Sequence, residues 1–379
     1  MTDLADKQHP ADKEHPSVDL CGVHLPNPLI LASGPLSWNA EAIRSALEAG
    51  AGAVVTKTIR PEAAVNAVPH IARSGQRSML NTESWSDLPA ERWIKRELPS
   101  LVDRDGVVIA STGHTPAEVE RLAGPLAATG VDLLELVSYD ARDAAPMVEA
   151  ARRTARVPIL VKVSANWPNL QEVVAACLRA GADGITAIDS IGPALEIDVE
   201  TGRPLLGSFA WLSGEAIRPI ALRAVAEICL RHDVPVVGTG GVGRSEEALE
   251  MVMAGATAIG VHTAPLLQGL EWFGKTLRRL ERWLEERGVQ CLSELRGSAL
   301  PYLREGASHR PLRINSIRSF TFDPEACTQC GHCITVCAYE ARTLTPAAEM
   351  QLDRALCRSC GLCISVCPTG ALRIAAGDL

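Results

Sequence analysis

Eight of the chain's twelve cysteines fall between Cys327 and Cys367. They form two runs, Cys327-x-x-Cys330-x-x-Cys333-x-x-x-Cys337 and Cys357-x-x-Cys360-x-x-Cys363-x-x-x-Cys367-Pro368. Gaps of two residues let successive thiolates point inward at one centre, the arrangement that wraps a cubane [4Fe–4S] cluster. When this spacing is written twice, the fourth cysteine of each run ligates the other run's cluster. The expected ligand sets are therefore Cys327, Cys330, Cys333 and Cys367 for one cluster, and Cys357, Cys360, Cys363 and Cys337 for the second. Gly331 and Gly361 permit the close backbone approach that such turns need. Zinc is the alternative for C-x-x-C pairs, but two complete runs with the three-residue final gap favour clusters. The first run has Ala338 where the second has Pro368, which removes no ligand. Clusters of this kind move one electron at a time, so another redox centre is expected upstream.

The other candidates close short apolar runs. Lys57 ends Ala53–Lys57, and Lys162 lies near the end of Pro158–Val163. A buried ammonium is costly unless it meets an electron-rich partner. The N1–C2=O edge of a flavin, which gains negative charge on reduction, is such a partner; solvated rim lysines are the alternative. Gly238-Thr239-Gly240-Gly241 and His262-Thr263 follow two later runs. Backbone N–H groups of a glycine turn and a helix start bind a phosphate dianion, so a phosphorylated ligand is expected there if these are more than ordinary turns.

Positioning these residues requires a repeated scaffold. Eight apolar runs, rich in Val, Ile, Leu and Ala, begin at Leu29, Ala53, Val107, Asp132, Pro158, Gly184, Val234 and Thr257. Helical stretches separate them, several ending in glycine (Gly50, Gly130, Gly181, Gly255) just before the next run. Near-continuous apolar runs suit strands buried on both faces. Eight of them alternating with helices predict an α/β fold, a (β/α)8 TIM barrel, with an open doubly wound sheet as the rival. The expected organisation is a disordered leader at 1–16, a barrel at 17–298, a linker at 299–319 and a small two-cluster ferredoxin-like domain at 320–379. Two connections, Ile59 to Asn81 and Ser190 to Gly214, are too long for barrel loops and predict excursions over the mouth.

Asn27-Pro28 to Gly34, Thr56-Lys57-Thr58, Val161-Lys162-Val163 with Asn166, and Ser213-Gly214-Glu215 through Arg223 resemble the dihydroorotate dehydrogenase superfamily. Within it, the last string and the cysteine module look most like the catalytic subunit of two-subunit bacterial dihydropyrimidine dehydrogenase. That resemblance implies an FMN in the barrel and a cyclic amide beside it, with reduction of a pyrimidine 5,6 double bond as the default reaction. It implies that FMN is held by Ser33, Gly34, Lys57, Lys162, Ser213, Gly214, Gly240, Gly241, His262 and Thr263, with Lys57 also catalytic. Asn81 matches a substrate-binding asparagine. The chain departs from the pattern after the fourth run: Val137-Ser138-Tyr139-Asp140-Ala141 replaces Asn-Leu-Ser-Cys-Pro. Asp189-Ser190 replaces an Asn-Thr pair and becomes the expected substrate contact. Asp140, at the lost cysteine, is then the expected acid/base, with Tyr139 and His114 as further options. These losses favour a non-pyrimidine substrate as one alternative; an electron-transfer subunit with a vestigial barrel site is another.

Composition narrows the partners. Apolar residues make up 47% and charged residues 22%, enough for a large core, and the net charge of −8 argues against nucleic acid. No uninterrupted apolar run reaches membrane-spanning length, so a cytoplasmic protein without a membrane partner is expected. The chain shows no second nucleotide-binding domain. Its expected electron partner is an NAD(P)H-dependent flavoprotein subunit or a ferredoxin, in a homo- or hetero-oligomer.

Overall fold

The computed structural model describes residues 16–307, 320–345 and 350–374. The expected leader, apart from Pro16, lies outside the described residues, as does the expected linker from 308 to 319. The chain divides into two units at Glu305/Gly306. Leu300–Ala307, inside the expected linker, is a helix.

Eight parallel strands close into a barrel in chain order. They are β1 (Leu29–Leu31), β2 (Ala53–Val55), β3 (Val107–Gly113), β4 (Leu133–Val137), β5 (Ile159–Val163), β6 (Gly184–Ala187), β7 (Val236–Thr239) and β8 (Ala258–Val261). Closure excludes the open sheet. The glycines work as expected: Gly50 N–H donates to Leu47 O at 2.9 Å and Ala51 N–H to Ala46 O at 3.1 Å. This double bond, with Gly50 at φ 103°, ends a helix and turns the chain into β2.

Strand side chains alternate between two cores. Ile30, Val55, Ile109, Leu133 and Leu160 pack inside the barrel. Leu31, Val54, Val108, Leu134 and Val161, one residue away, pack against the helices. A hairpin of Val18–Leu20 and Val23–Leu25, absent from the sequence-based expectation, adds the fully buried Leu20 and Leu25 to the interior set. Each such leucine is worth roughly 1.5–3 kcal/mol. Counting on by two from the interior residues reaches Lys57, Val137, Lys162 and His262. Period-two geometry therefore aims all four into the barrel.

The two long excursions pair with each other. Ile71–Ser74, Ser78–Asn81, Ala210–Gly214 and Ile191–Ala194 form a four-stranded antiparallel sheet. Its register sets Trp211 opposite Asn81 and Ser213 opposite Met79. Among the described residues no helix is long and apolar enough to cross a membrane.

The second unit repeats itself every thirty residues. Phe320–Phe322 pairs with Leu372–Ile374, and Arg342–Leu344 with Met350–Leu352. Asp323 accepts the N–H of Glu325 at 3.0 Å, and Asp353 that of Ala355 at 2.8 Å. Gly331 and Gly361, at φ 76° and 77°, start matched short helices.

Candidate active site

The inward stripe opens into a cleft of about 1180 Å³, measured out to its open mouth. All ten residues expected to hold the flavin cofactor line it. Asn81, Tyr139, Asp189, Ser190 and His114 line it too.

At one end, Thr263 Oγ1 donates to Ser213 Oγ at 2.9 Å, beside the glycine turns of Gly214, Gly240 and Gly241. Gly241 has φ 83°, and a Cβ there would stand 2.4 Å from Arg218 Cβ. Only glycine fits, which leaves bare backbone at the cleft wall. Deeper in, His262 Nδ1–H donates to Ala32 O at 2.9 Å. Its Nε2 is then a buried acceptor without a hydrogen-bond partner among the described residues. Burial holds its pKa down at about 4, so the ring is neutral. A Cβ on Gly34 would come 2.5 Å from His262 Cε1, so glycine is required where the two segments meet.

The lysines meet carboxylates. Lys57 is 3% exposed, and its Nζ stands 2.7 Å from Glu83 Oε1 and 2.6 Å from Asp87 Oδ2. Burial opposes ionisation of Asp87, but the Lys57 hydrogen bond and charge keep its carboxyl below the usual range. Lys162 Nζ lies 3.3 Å from Asp189 Oδ1. Burial works against its charge, yet Asp189 and Glu135 outweigh that and raise its pKa. Glu135 is 2% exposed and accepts from Thr186 Oγ1 at 2.8 Å. Burial pushes its carboxyl up.

An aromatic row lines the other side of the cleft. Trp85 meets His114 edge-on at 6.1 Å, His114 meets Tyr139 edge-on at 4.5 Å, and Tyr139 stacks on Trp211 at 5.8 Å and 20°. Arg60 lies 4.1 Å over Trp85 and is held by Glu118 at 3.1 and 2.5 Å. Glu118 also accepts the His114 N–H at 2.7 Å. Burial, then the charge of Arg60, lowers the His114 pKa to about 4.

Asp140, the expected acid/base, is not among the residues lining the cleft. It caps the helix Ala141–Thr154, accepting Arg142 N–H at 2.9 Å and the Arg142 guanidinium at 3.0 and 2.5 Å. Those bonds pull its carboxyl down to about 2. A carboxylate so tied has no proton to give near neutrality. Sequence reasoning missed Glu83, Trp85 and Trp211. Glu83 was two residues from Asn81, but Trp211 enters only through cross-strand register.

In the second unit, one cavity of about 400 Å³ is lined by Cys327, Cys330, Cys333 and Cys367. A second, of about 340 Å³, is lined by Cys337, Cys357, Cys360 and Cys363. Gln329 N–H donates to Cys327 Sγ and Ser359 N–H to Cys357 Sγ, both at 3.4 Å. Among the described residues, no three His, Cys, Asp or Glu groups converge on a point fit for one ion. Four thiols spread around a cavity suit a multi-iron cluster better than a single zinc.

Comparison with known proteins now identifies the lineage. Residues 129–284 match the dihydroorotate dehydrogenase family model, and residues 326–371 match a 4Fe-4S dicluster domain. The catalytic subunit of dihydroorotate dehydrogenase B (NAD(+)) from Methanothermobacter thermautotrophicus is 32% identical over 298 residues, 74% of this chain and 97% of that protein. The chain belongs to the dihydroorotate dehydrogenase family. The same subunit from Desulforudis audaxviator is 34% identical over 302 residues (75% and 97%), and that from Pyrococcus abyssi 31% over 297 (75% and 98%). These relatives are B-type dihydroorotate dehydrogenase subunits, whereas the sequence resemblance pointed to the dihydropyrimidine enzyme. Like the family, the chain is a flavin-dependent oxidoreductase acting on a C–C or C–N bond, here joined to a 4Fe-4S ferredoxin domain.

Proposed function

We propose that the cleft holds FMN and a flat, conjugated ring substrate, and that two [4Fe–4S] clusters carry the electrons to or from an external redox partner. The observation that carries this reading is the joint lining of one cleft by a glycine-turn end, the orphan His262 Nε2 and the aromatic row. Bound there, FMN supplies hydride transfer at its ring.

The chain's own residues do the rest. Bare backbone at Gly240 and Gly241 with the Ser213 and Thr263 hydroxyls would hold the phosphate. His262 Nε2 would accept from a ligand hydroxyl or N–H, ending its isolation. Lys57 and Lys162 would supply positive charge to a bound flavin, tempered by Glu83, Asp87 and Asp189. Tyr139 and Trp211 offer a face for a planar substrate. Asn81, Asp189 and Ser190 supply polar groups for its N–H and C=O edges. For proton transfer we assign Tyr139: its phenol lines the cleft and burial keeps it protonated and able to donate, whereas His114, held at about 4, is a weak base and Asp140 stands outside.

Reduction of a pyrimidine 5,6 double bond is the first chemistry to test. A second reading, a flat non-pyrimidine ring, is favoured by Val137, an apolar side chain lining the cleft where an amide is expected. The partner is a flavoprotein reductase subunit or a ferredoxin, in the cytoplasm. Anaerobic holoprotein is mixed with uracil and thymine, their dihydro forms, and other planar N-heterocycles, and the flavin spectrum is followed. Substrate turnover should fall about 10²–10⁴-fold in Tyr139→Phe with flavin content unchanged. Full turnover in that variant removes Tyr139 from the chemistry; a flavin that no ring compound reduces or reoxidises defeats the substrate reading.

A further inference from the structure

The thirty-residue repeat makes the two cysteine cavities comparable position by position, and their charges differ. The cavity of Cys337, Cys357, Cys360 and Cys363 is lined by Arg342 and Arg358. The matching positions around the other cavity are Leu372 and Thr328, and among the described residues no Arg or Lys lines it. Arg342 is 4% exposed, yet its Nε and Nη2 have no hydrogen-bond partner among the described residues. Its guanidinium lies 5.6 Å from the Phe320 ring, a weak partner for a buried cation. A guanidinium buried this way is costly unless an anion meets it. A cubane with four thiolates is a net anion that can also accept N–H···S bonds.

We propose that Arg342 and Arg358 make the two clusters unequal, the one in the Cys337, Cys357, Cys360 and Cys363 cavity having the higher reduction potential. This rests on the two-cluster reading above. One-electron reduction adds a negative charge to a cluster and breaks no bond, so nearby positive charge stabilises the reduced form. Electrons then collect on the arginine-lined cluster. Arg358, exposed at the second cavity, acts there alone.

The test is potentiometric titration of the full holoprotein with dithionite, followed by EPR of the reduced clusters and an iron count. Wild type should show two waves. In Arg342→Leu, which copies the Leu372 position, the reduction equilibrium of the upper wave should fall at least about tenfold, or about 59 mV for one electron. The lower wave should move less, and Arg342→Lys should restore most of the gap. Arg358→Thr keeps the test open if Arg342→Leu does not fold, and should narrow the gap by lowering the upper wave alone. Leu372→Arg should raise the lower wave. Two loaded clusters with one shared potential, or a gap that neither arginine variant narrows, overturn the inference while leaving the two-cluster reading intact. Iron for fewer than two cubanes in wild type overturns both.

Discussion

The cysteine unit and the barrel cleft reach their chemistry by opposite routes. In the cysteine unit, three of each cavity's four thiols come from seven consecutive residues, and only the fourth is remote. In the barrel, the cleft draws on residues from Ala32 to Thr263, and no two of Lys57, Lys162 and His262 are within ninety residues of each other. Local spacing makes a site portable and readable. A site assembled by closure depends on every strand keeping its register, because a one-residue slip turns each inward side chain outward.

The sharpest way to break the comparison is to remove the one non-local element of a cysteine cavity. In Cys337→Ala, the cluster bound by Cys357, Cys360 and Cys363 should be lost although all three remain. Iron content should fall from about eight to about four per chain, with the first run's EPR signal kept. Loss of the first run's cluster instead would mean that each run closes on itself, and the ligand sets would have to be redrawn.

How much was legible follows the same division. The grouping of the cysteines around two cavities and the eight strands were readable because both lie in patterns with fixed local periods. So were Lys57, Lys162 and His262, whose inward direction follows from counting by two along strands. The aromatic row was not readable, since Trp211 reaches Asn81 only through pairing of two excursions that are more than a hundred residues apart. Asp140 misled for a related reason. A position next to the end of β4 names the neighbourhood, but whether its side chain turns to the cleft or caps the next helix is decided by Arg142 two residues on. The N-terminal hairpin went unread because three-residue strands leave too little alternation to see.

The cleft's dependence on closure predicts a pH response. His262 and His114 are held at about 4 against an ordinary 6.5. Between those values the unfolded chain binds more protons than the folded one, so stability falls as pH drops below 6.5 and levels off near 4. For His262 the full loss is of order 3 kcal/mol. The carboxylates held low in the fold, such as Asp87 and Glu247, act in the same direction but only below their own ordinary values of 3.8 and 4.5. In the limb from pH 6.5 to 4.5 the two histidines lower stability as acid is added, while Glu135, whose carboxyl burial pushes up, works in the opposite direction. Urea unfolding of the holoprotein at pH 6.5 and 5 should show a smaller acid loss in His262→Asn than in wild type. An unchanged loss would detach His262 from the response.

The smallest effect is expected where the sequence pointed to the largest. Asp140→Asn removes a carboxylate from the position matching the family's acid/base cysteine, yet asparagine caps a helix as well as aspartate does. Since Arg142 engages Asp140 outside the cleft, substrate turnover should stay within about twofold of wild type. Tyr139, one residue earlier, lines the cleft and stacks on Trp211, so its phenylalanine variant should lose orders of magnitude. The pair tests orientation against position, because the two residues share one loop and differ in which way they face. Equal losses in both variants would show that the loop turns over when substrate binds and that Asp140 reaches the ring after all. A large loss in Asp140→Asn alone would return the proton to the aspartate and leave Tyr139 as a stacking surface.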